Sequence, residues 1–305
     1  LYHTLQSSIQ LVVIDLDASD DAQVIFETLN ALGTPLLPAD LVKNFLFHKA
    51  KADGHDIERL YPRCWAGFDD LKSYWRAEVT RGRLKTTQLD VFLQHYLTLK
   101  TYDEVPYSRL FDTFRKYVRD TPGLDAPGHV AQFRQYADVY RGFSEFPAGT
   151  AERRFFDRLD VLESSTFLPL LLEVFKRNPP GADPAGVRQV LADLESFLVR
   201  RMVCRLTTKS YNRFVTDLIK RLTATDDFSP AAIRTALLSE TAEASRWPSD
   251  EAFRTAWLEL DFYKRLLRAR TNMVLAALEQ ASDDPKAERV VFAGELSIEH
   301  LLPQK

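Results

Sequence analysis

The stretch Val24–Phe47, VIFETLNALGTPLLPADLVKNFLF, constrains this chain most, because it reads as two amphipathic helices joined by a tight corner. Ser19 suits a helix cap, and Asp20 and Asp21 put negative charge in the first turn, where the helix dipole favours it. Ile25, Leu29 and Leu32 then recur at helical spacing, flanked by Ala22 and Phe26. Gly33 falls where the chain must leave that helix, a place that favours a residue tolerant of positive φ. Pro35 stops the first helix, and Pro38 fits the opening turn of a second. Leu41, Val42, Phe45 and Leu46 give the second helix an apolar face, while Asn30, Asp40, Lys43 and Asn44 are the polar residues around the corner.

The same periodicity continues, and the expected fold is mainly α, a multi-helix bundle with one or two short β segments near the ends. Residues 11–16, LVVIDL, fit one buried strand, and 289–292 fit another. Helices are expected over Ile57–Val79 (one, or two broken near Pro62 or Gly67), Thr86–Leu99 and Tyr107–Val118. A loop marked by Pro122, Gly123, Pro127 and Gly128 should follow, then helices over Val130–Phe143 and Ala151–Leu162. Ser165–Arg177 is apolar nearly all round, so it is expected at the centre. Val187–Leu206, Asn212–Leu222, a short piece opened by Ser229 and Pro230, Asp250–Leu258 and Phe262–Gln280 complete the set. Most Phe and Tyr residues share faces with Leu and Val, which assigns them to the core rather than to a platform for stacking bases. Only 11 glycines in 305 residues also argue against a β-rich or loop-rich fold.

Charge and cysteine usage narrow the function classes. The formal net charge is −3, so nucleic-acid binding would have to come from local patches. Such a patch lies between Phe197 and Arg221, where Arg200, Arg201, Arg205, Lys209, Arg213, Lys220 and Arg221 face a single acid, Asp217. It suits phosphate contacts, but pairing with carboxylates on neighbouring helices, or plain solvation, is the reading favoured over them. Cys64 and Cys204 lie far apart, which points to a reduced, cytoplasmic protein rather than a disulfide scaffold. No Cys or His pair has zinc-ligand spacing. The longest apolar stretch, around Phe167–Val174, is interrupted by Pro169 and Glu173 and too short to span a bilayer, so no membrane partner is expected. Nucleophile elbows, phosphate-binding loops and His-Glu-x-x-His helices are all lacking, which disfavours a self-contained hydrolase.

Near the end, residues 297–304 read SIEHLLPQ. Hydrolysis of a phosphodiester needs a water deprotonated near neutral pH, a task suited to His, and an acid can hold a divalent cation against the scissile phosphate. This string resembles the opening of an HNH (ββα-metal) nuclease motif.

Taken together, three segments resemble the GmrSD-type restriction family, which pairs a ParB-like N-terminal domain with a C-terminal HNH nuclease domain. The corner supplies Phe26, Asn30, Gly33, Leu36, Asp40, Leu41, Lys43 and Asn44 at the family's motif positions; Leu37 stands where the family often has a capping Ser or Thr. Residues 196–218 resemble its helical middle, with Arg200, Arg201, Val203, Cys204, Tyr211 and Asn212 matching. The resemblance implies that His300 is the general base, that Glu299 occupies the metal-ligand position, and that Arg200, Arg201, Arg205 and Lys209 are candidates to grip DNA backbone.

It also implies residues 1–50 as the end of the ParB-like domain, 51–285 as a helical bundle domain and 286–305 as the start of the HNH domain. The start at Leu1 suggests a fragment, and an HNH site cut at Lys305 should not cleave alone. The expected function is the helical part of a modification-dependent restriction nuclease of phage defence. It would couple a nucleotide- and DNA-sensing front domain to an HNH phosphodiesterase that uses Mg²⁺ or another divalent metal. The implied partner is DNA, modified phage DNA in particular, with a homo-oligomer also compatible. The alternative is a non-enzymatic helical scaffold or partner-binding module.

Overall fold

The structure, a computed structural model, describes residues 37–81, 84–179 and 181–281. Among them are fourteen α-helices and one small hairpin. They are α1 (Pro38–Ala52), α2 (Ile57–Cys64), α3 (Ala66–Asp69), α4 (Gln88–Thr101), α5 (Leu110–Arg119), α6 (Ala126–Gly142) and α7 (Ala151–Val161). Then come α8 (Leu168–Arg177), α9 (Pro184–Val203), α10 (Tyr211–Thr225), α11 (Pro230–Leu238), α12 (Asp250–Glu259), α13 (Phe262–Arg265) and α14 (Arg268–Ala281). The mainly α expectation therefore holds for the described residues. The expected strands at 11–16 and 289–292 lie outside them.

Most helices begin where a side chain can accept an otherwise orphaned N–H. Asp56, Thr87, Asp125, Thr150, Asp183, Ser229, Ser249 and Asp261 each do so from the residue before the helix. Helix α4 is the hub. Its Leu89, Phe92, Leu93, Tyr96 and Leu97 are fully buried, and it packs against α1, α5, α6, α8 and α10. Beside it an aromatic cluster holds the short elements of 57–76. Trp65 stacks on Phe133 (5.4 Å between centroids), and Phe68 meets Trp75 edge-on at 5.2 Å. In the other half, α9 packs between α7, α11 and α12, and α14 leans on α7.

Three sequence readings need correction. An antiparallel hairpin, β1 (Glu78–Arg81) with β2 (Leu84–Thr87), takes the end of the expected Ile57–Val79 helical run and the start of the expected Thr86–Leu99 helix. Thr86 is therefore a strand residue, and Thr87 is the cap of α4. Pro127 and Gly128 belong to the first turn of α6, where proline's missing N–H costs nothing, with Asp125 accepting from Gly128 N–H at 2.8 Å. Phe262–Gln280 is two helices, because Leu266 turns extended between α13 and α14. The boundary expected at residues 50/51 falls within α1, whose Ala39, Val42 and Leu46 share the buried cluster of α4, α5 and α6.

Candidate functional site

The second helix of the corner is held from a distance. Leu37 precedes α1 and has no capping atom. Pro38 needs no acceptor, and Asp40 and Leu41 donate back to Leu37 O at 2.9 and 3.3 Å, but Ala39 N–H has no such partner. Asp90 Oδ1, fully buried and 51 residues away, accepts it at 2.9 Å. The other oxygen of Asp90 accepts from Thr87 Oγ1 at 2.6 Å and Thr86 Oγ1 at 3.2 Å, within the capping box that starts α4. One carboxylate thus closes two helix starts and supplies the cap that Leu37 lacks.

Asp40 and Lys43 are brought together in an ion-pair network. Arg76 donates to Asp40 Oδ1 and to Asp69 Oδ1, each at 2.7 Å, and its Nε donates to Phe68 O at 2.8 Å. Lys43 pairs with Asp69, which also accepts from Tyr61 OH at 2.7 Å. Burial pushes the Asp69 carboxyl up, but the hydrogen bonds from Lys43, Tyr61 and Arg76 outweigh it and leave it below the usual carboxylate range. The motif residues Asp40 and Lys43 therefore tie α1 to the chain around α2 and α3. Asn44 is exposed. Phe26, Asn30, Gly33 and Leu36 lie outside the described residues.

The basic segment splits into two groups. Arg201 is fully buried, so its expected phosphate role is corrected to an architectural one. Its guanidinium donates to Tyr211 OH (3.0 Å) and to the carbonyls of Thr207 (2.7 Å), Ala244 (2.8 Å), Arg246 (2.8 Å) and Glu243 (3.3 Å). The rings of Phe197 and Tyr211 lie 5.4 and 5.3 Å from it. Among the described residues no carboxylate pairs with it, and carbonyl dipoles and ring faces stabilise the charge. Arg200 pairs with Asp250 at 2.5 Å and donates to Pro248 O at 3.1 Å, which ties α9 to α12. Tyr211 opens α10 as a buried acceptor; burial raises its phenol above the ordinary value, and Arg201 partly offsets this. Asn212 donates to Glu104 Oε1 at 2.6 Å.

Arg205 and Lys209 are exposed and form no ion pair among the described residues. Arg205 has φ +54° just after α9 and lines a cavity of about 220 Å³ with Arg265, Arg270, Ser164, Thr208 and Tyr211. Sequence reasoning missed Arg265 and Arg270 as partners of this patch, since about 60 residues separate them from Arg205 and no periodicity links the two. A larger cleft of about 750 Å³ lies beside α5 and is lined by both signs of charge, including Lys100, Arg109, Asp112 and Lys116.

Glu299 and His300 lie outside the described residues. Among the described residues no group of three or more His, Cys, Asp or Glu is arranged to hold a metal ion. No helix among them is long and apolar enough to cross a membrane. Compared with known proteins, the chain matches no family model, no curated protein and no solved structure.

Proposed function

We propose that this chain is the helical connector of a modification-dependent DNA restriction nuclease of the GmrSD type. In this reading it joins a ParB-like domain that senses nucleotide and modified DNA to an HNH phosphodiesterase beginning near Glu299 and His300. The observation that carries the reading is the anchoring of α1. Asp90 fixes the first turn of α1 to the hub helix, and the Asp40–Arg76–Asp69–Lys43 network fixes the next turn. The helix on which a preceding domain would pull is thereby fixed to the bundle. At the other end, α14 leads toward residues 299 and 300 and is held to the bundle by Arg270–Glu163 at 2.9 Å and Arg158–Gln280 at 3.1 Å. A connector needs the first and last helices of its bundle secured, and α1 and α14 both are. The exposed Arg205 and Lys209 supply cations for DNA backbone. The reading carries with it Mg²⁺ at Glu299, a nucleotide at the N-terminal domain, modified phage DNA as substrate and a cytoplasmic location.

The test is cleavage by the full-length protein with Mg²⁺, comparing wild type with His300→Ala on modified and plain phage DNA. Cutting of modified DNA that disappears in the variant is expected; equal cutting by both removes His300 from the catalytic role. A second reading, a non-enzymatic scaffold that binds a partner, is favoured by one observation. Leu258, Leu267 and Tyr263 stand 79 %, 62 % and 51 % exposed within the stretch that runs from α12 to the start of α14, apolar side chains that a partner could cover.

A further inference from the structure

We propose that the cavity between the 204–210 loop and the α13–α14 corner is a phosphate site that takes a backbone phosphodiester. The choice of DNA as the source of that phosphate rests on the restriction-nuclease reading; the chemistry of the site does not.

Three guanidinium groups, Arg205, Arg265 and Arg270, line a space of about 220 Å³, and no acidic side chain lines it. Arg205 and Arg265 form no ion pair among the described residues, whereas Arg200, Arg213, Arg221 and Arg234 nearby all do. Two like charges left without counter-ions beside a concave surface favour an anion there. Arg270 is held in place by Glu163 Oε2 at 2.9 Å and Val161 O at 3.4 Å. Those bonds involve its Nε and Nη2, so the guanidinium retains further N–H groups.

Hydroxyls from Thr208 and Tyr211 also line the space and add neutral donors suited to phosphate oxygens, while Ser164 Oγ donates to Leu162 O at 3.1 Å. Behind the wall, Arg201 bonds both Tyr211 OH and Thr207 O and so fixes the loop that presents Arg205. The size selects the ligand. Pockets that enclose a whole drug-sized molecule run from about 300 to 1,000 Å³. This one is smaller, and suits a single phosphate with part of its sugar. Leucine and methionine side chains complete the wall and lower the local dielectric, which strengthens the attraction.

The experiment uses the full chain and the double variant Arg205→Gln/Arg265→Gln. Neither arginine has an ion-pair partner among the described residues, so the melting curve should match wild type. One arm measures anisotropy of a labelled duplex across a salt series. The expected result is about tenfold weaker binding and a salt slope shallower by about one, the signature of one lost phosphate contact. The second arm measures the melting shift given by inorganic phosphate and by ATP. A shift lost in the variant, with no duplex binding by wild type, keeps the phosphate site, assigns it to a free nucleotide or ion, and counts against the DNA reading. Duplex binding that the variant leaves unchanged overturns the cavity while DNA binding itself survives. No difference in either arm overturns the proposal outright. Should the glutamine pair melt early, Arg205→Lys/Arg265→Lys replaces it; this pair keeps both charges and is expected to retain the slope while losing affinity through the missing forks.

Discussion

Replacing Arg201 separates architecture from DNA contact within one residue. Its five hydrogen bonds join the end of α9 to Tyr211 OH, to Thr207 O, and to three carbonyls of the segment between α11 and α12. Bonds to a charged donor contribute about 1.5–3 kcal/mol each. Five such bonds added together would rival the whole stability of a domain, about 5–15 kcal/mol. The sum overshoots, because the carbonyls sit near the surface and can meet water once the segment lifts. The loss is therefore capped by the free energy of opening that segment, and Arg201→Met should cost about 3–5 kcal/mol. Arg201→Lys keeps the charge, but its point-like ammonium cannot reach carbonyls on both sides, and it should cost about 2–3 kcal/mol.

Urea unfolding followed by circular dichroism gives these values, and hydrogen exchange at Ser245 and Arg246 amides, which bond Ala242 O at 2.9 and 2.7 Å, reports the segment itself. The expected pattern is large loss of stability and early exchange at those amides. An Arg201→Met protein as stable as wild type, yet with weaker DNA binding and a shallower salt slope, would refute the architectural role.

Asp90→Ala should cost about 3–4 kcal/mol, since it orphans Ala39 N–H and breaks the capping box of α4; a loss under about 1 kcal/mol in urea unfolding, or unchanged exchange at Ala39, contradicts the shared cap. Lys100 gives a pH test. Burial pulls its ammonium from 10.5 down to about 8, with Glu173 pulling the other way, so the folded protein releases this proton while the unfolded chain still holds it. Stability from this group therefore rises with pH between about 8 and 10, above which the buried phenols of Tyr96, Tyr117 and Tyr136, all raised, act in the opposite sense. Lys100→Met should flatten that rise and gain about 1–3 kcal/mol at pH 7; an unchanged slope in urea midpoints across this range counts against it.

The helices and their buried faces were legible because both follow from a 3.6-residue period that local sequence carries. Val42 and Leu46 on α1, and Phe92, Leu93 and Tyr96 on α4, went where their spacing sends them. The hairpin was not legible. Its strands are four residues each, too short to show alternation, and Val79 and Thr86 border aromatic and helical runs that suggest other periods. Nor was the second duty of Asp90. Thr87-x-x-Asp90 is a recognisable helix start, but nothing in the sequence near it points to Ala39. Long-range pairing of this kind is set by tertiary placement, as is the meeting of Arg205 with Arg265 and Arg270.

The charges of the 200–209 segment show where reading sign without face misleads. All four cations look alike in composition, yet their registers differ. Leu194, Phe197 and Leu198 form the inward stripe of α9, and Arg201 follows Phe197 by four and Leu194 by seven, so it lies on the apolar face. An arginine in that register is buried by the same packing that buries its neighbours, and must find acceptors inside. Arg200 falls on the flank and meets Asp250. Arg205 and Lys209 come after Val203, where the helix has ended and periodicity no longer dictates a face. Removing the cation that sits in the apolar stripe before counting a phosphate patch leaves Arg200, Arg205 and Lys209; the fold pairs Arg200 with Asp250 and leaves the other two exposed and without ion pairs among the described residues.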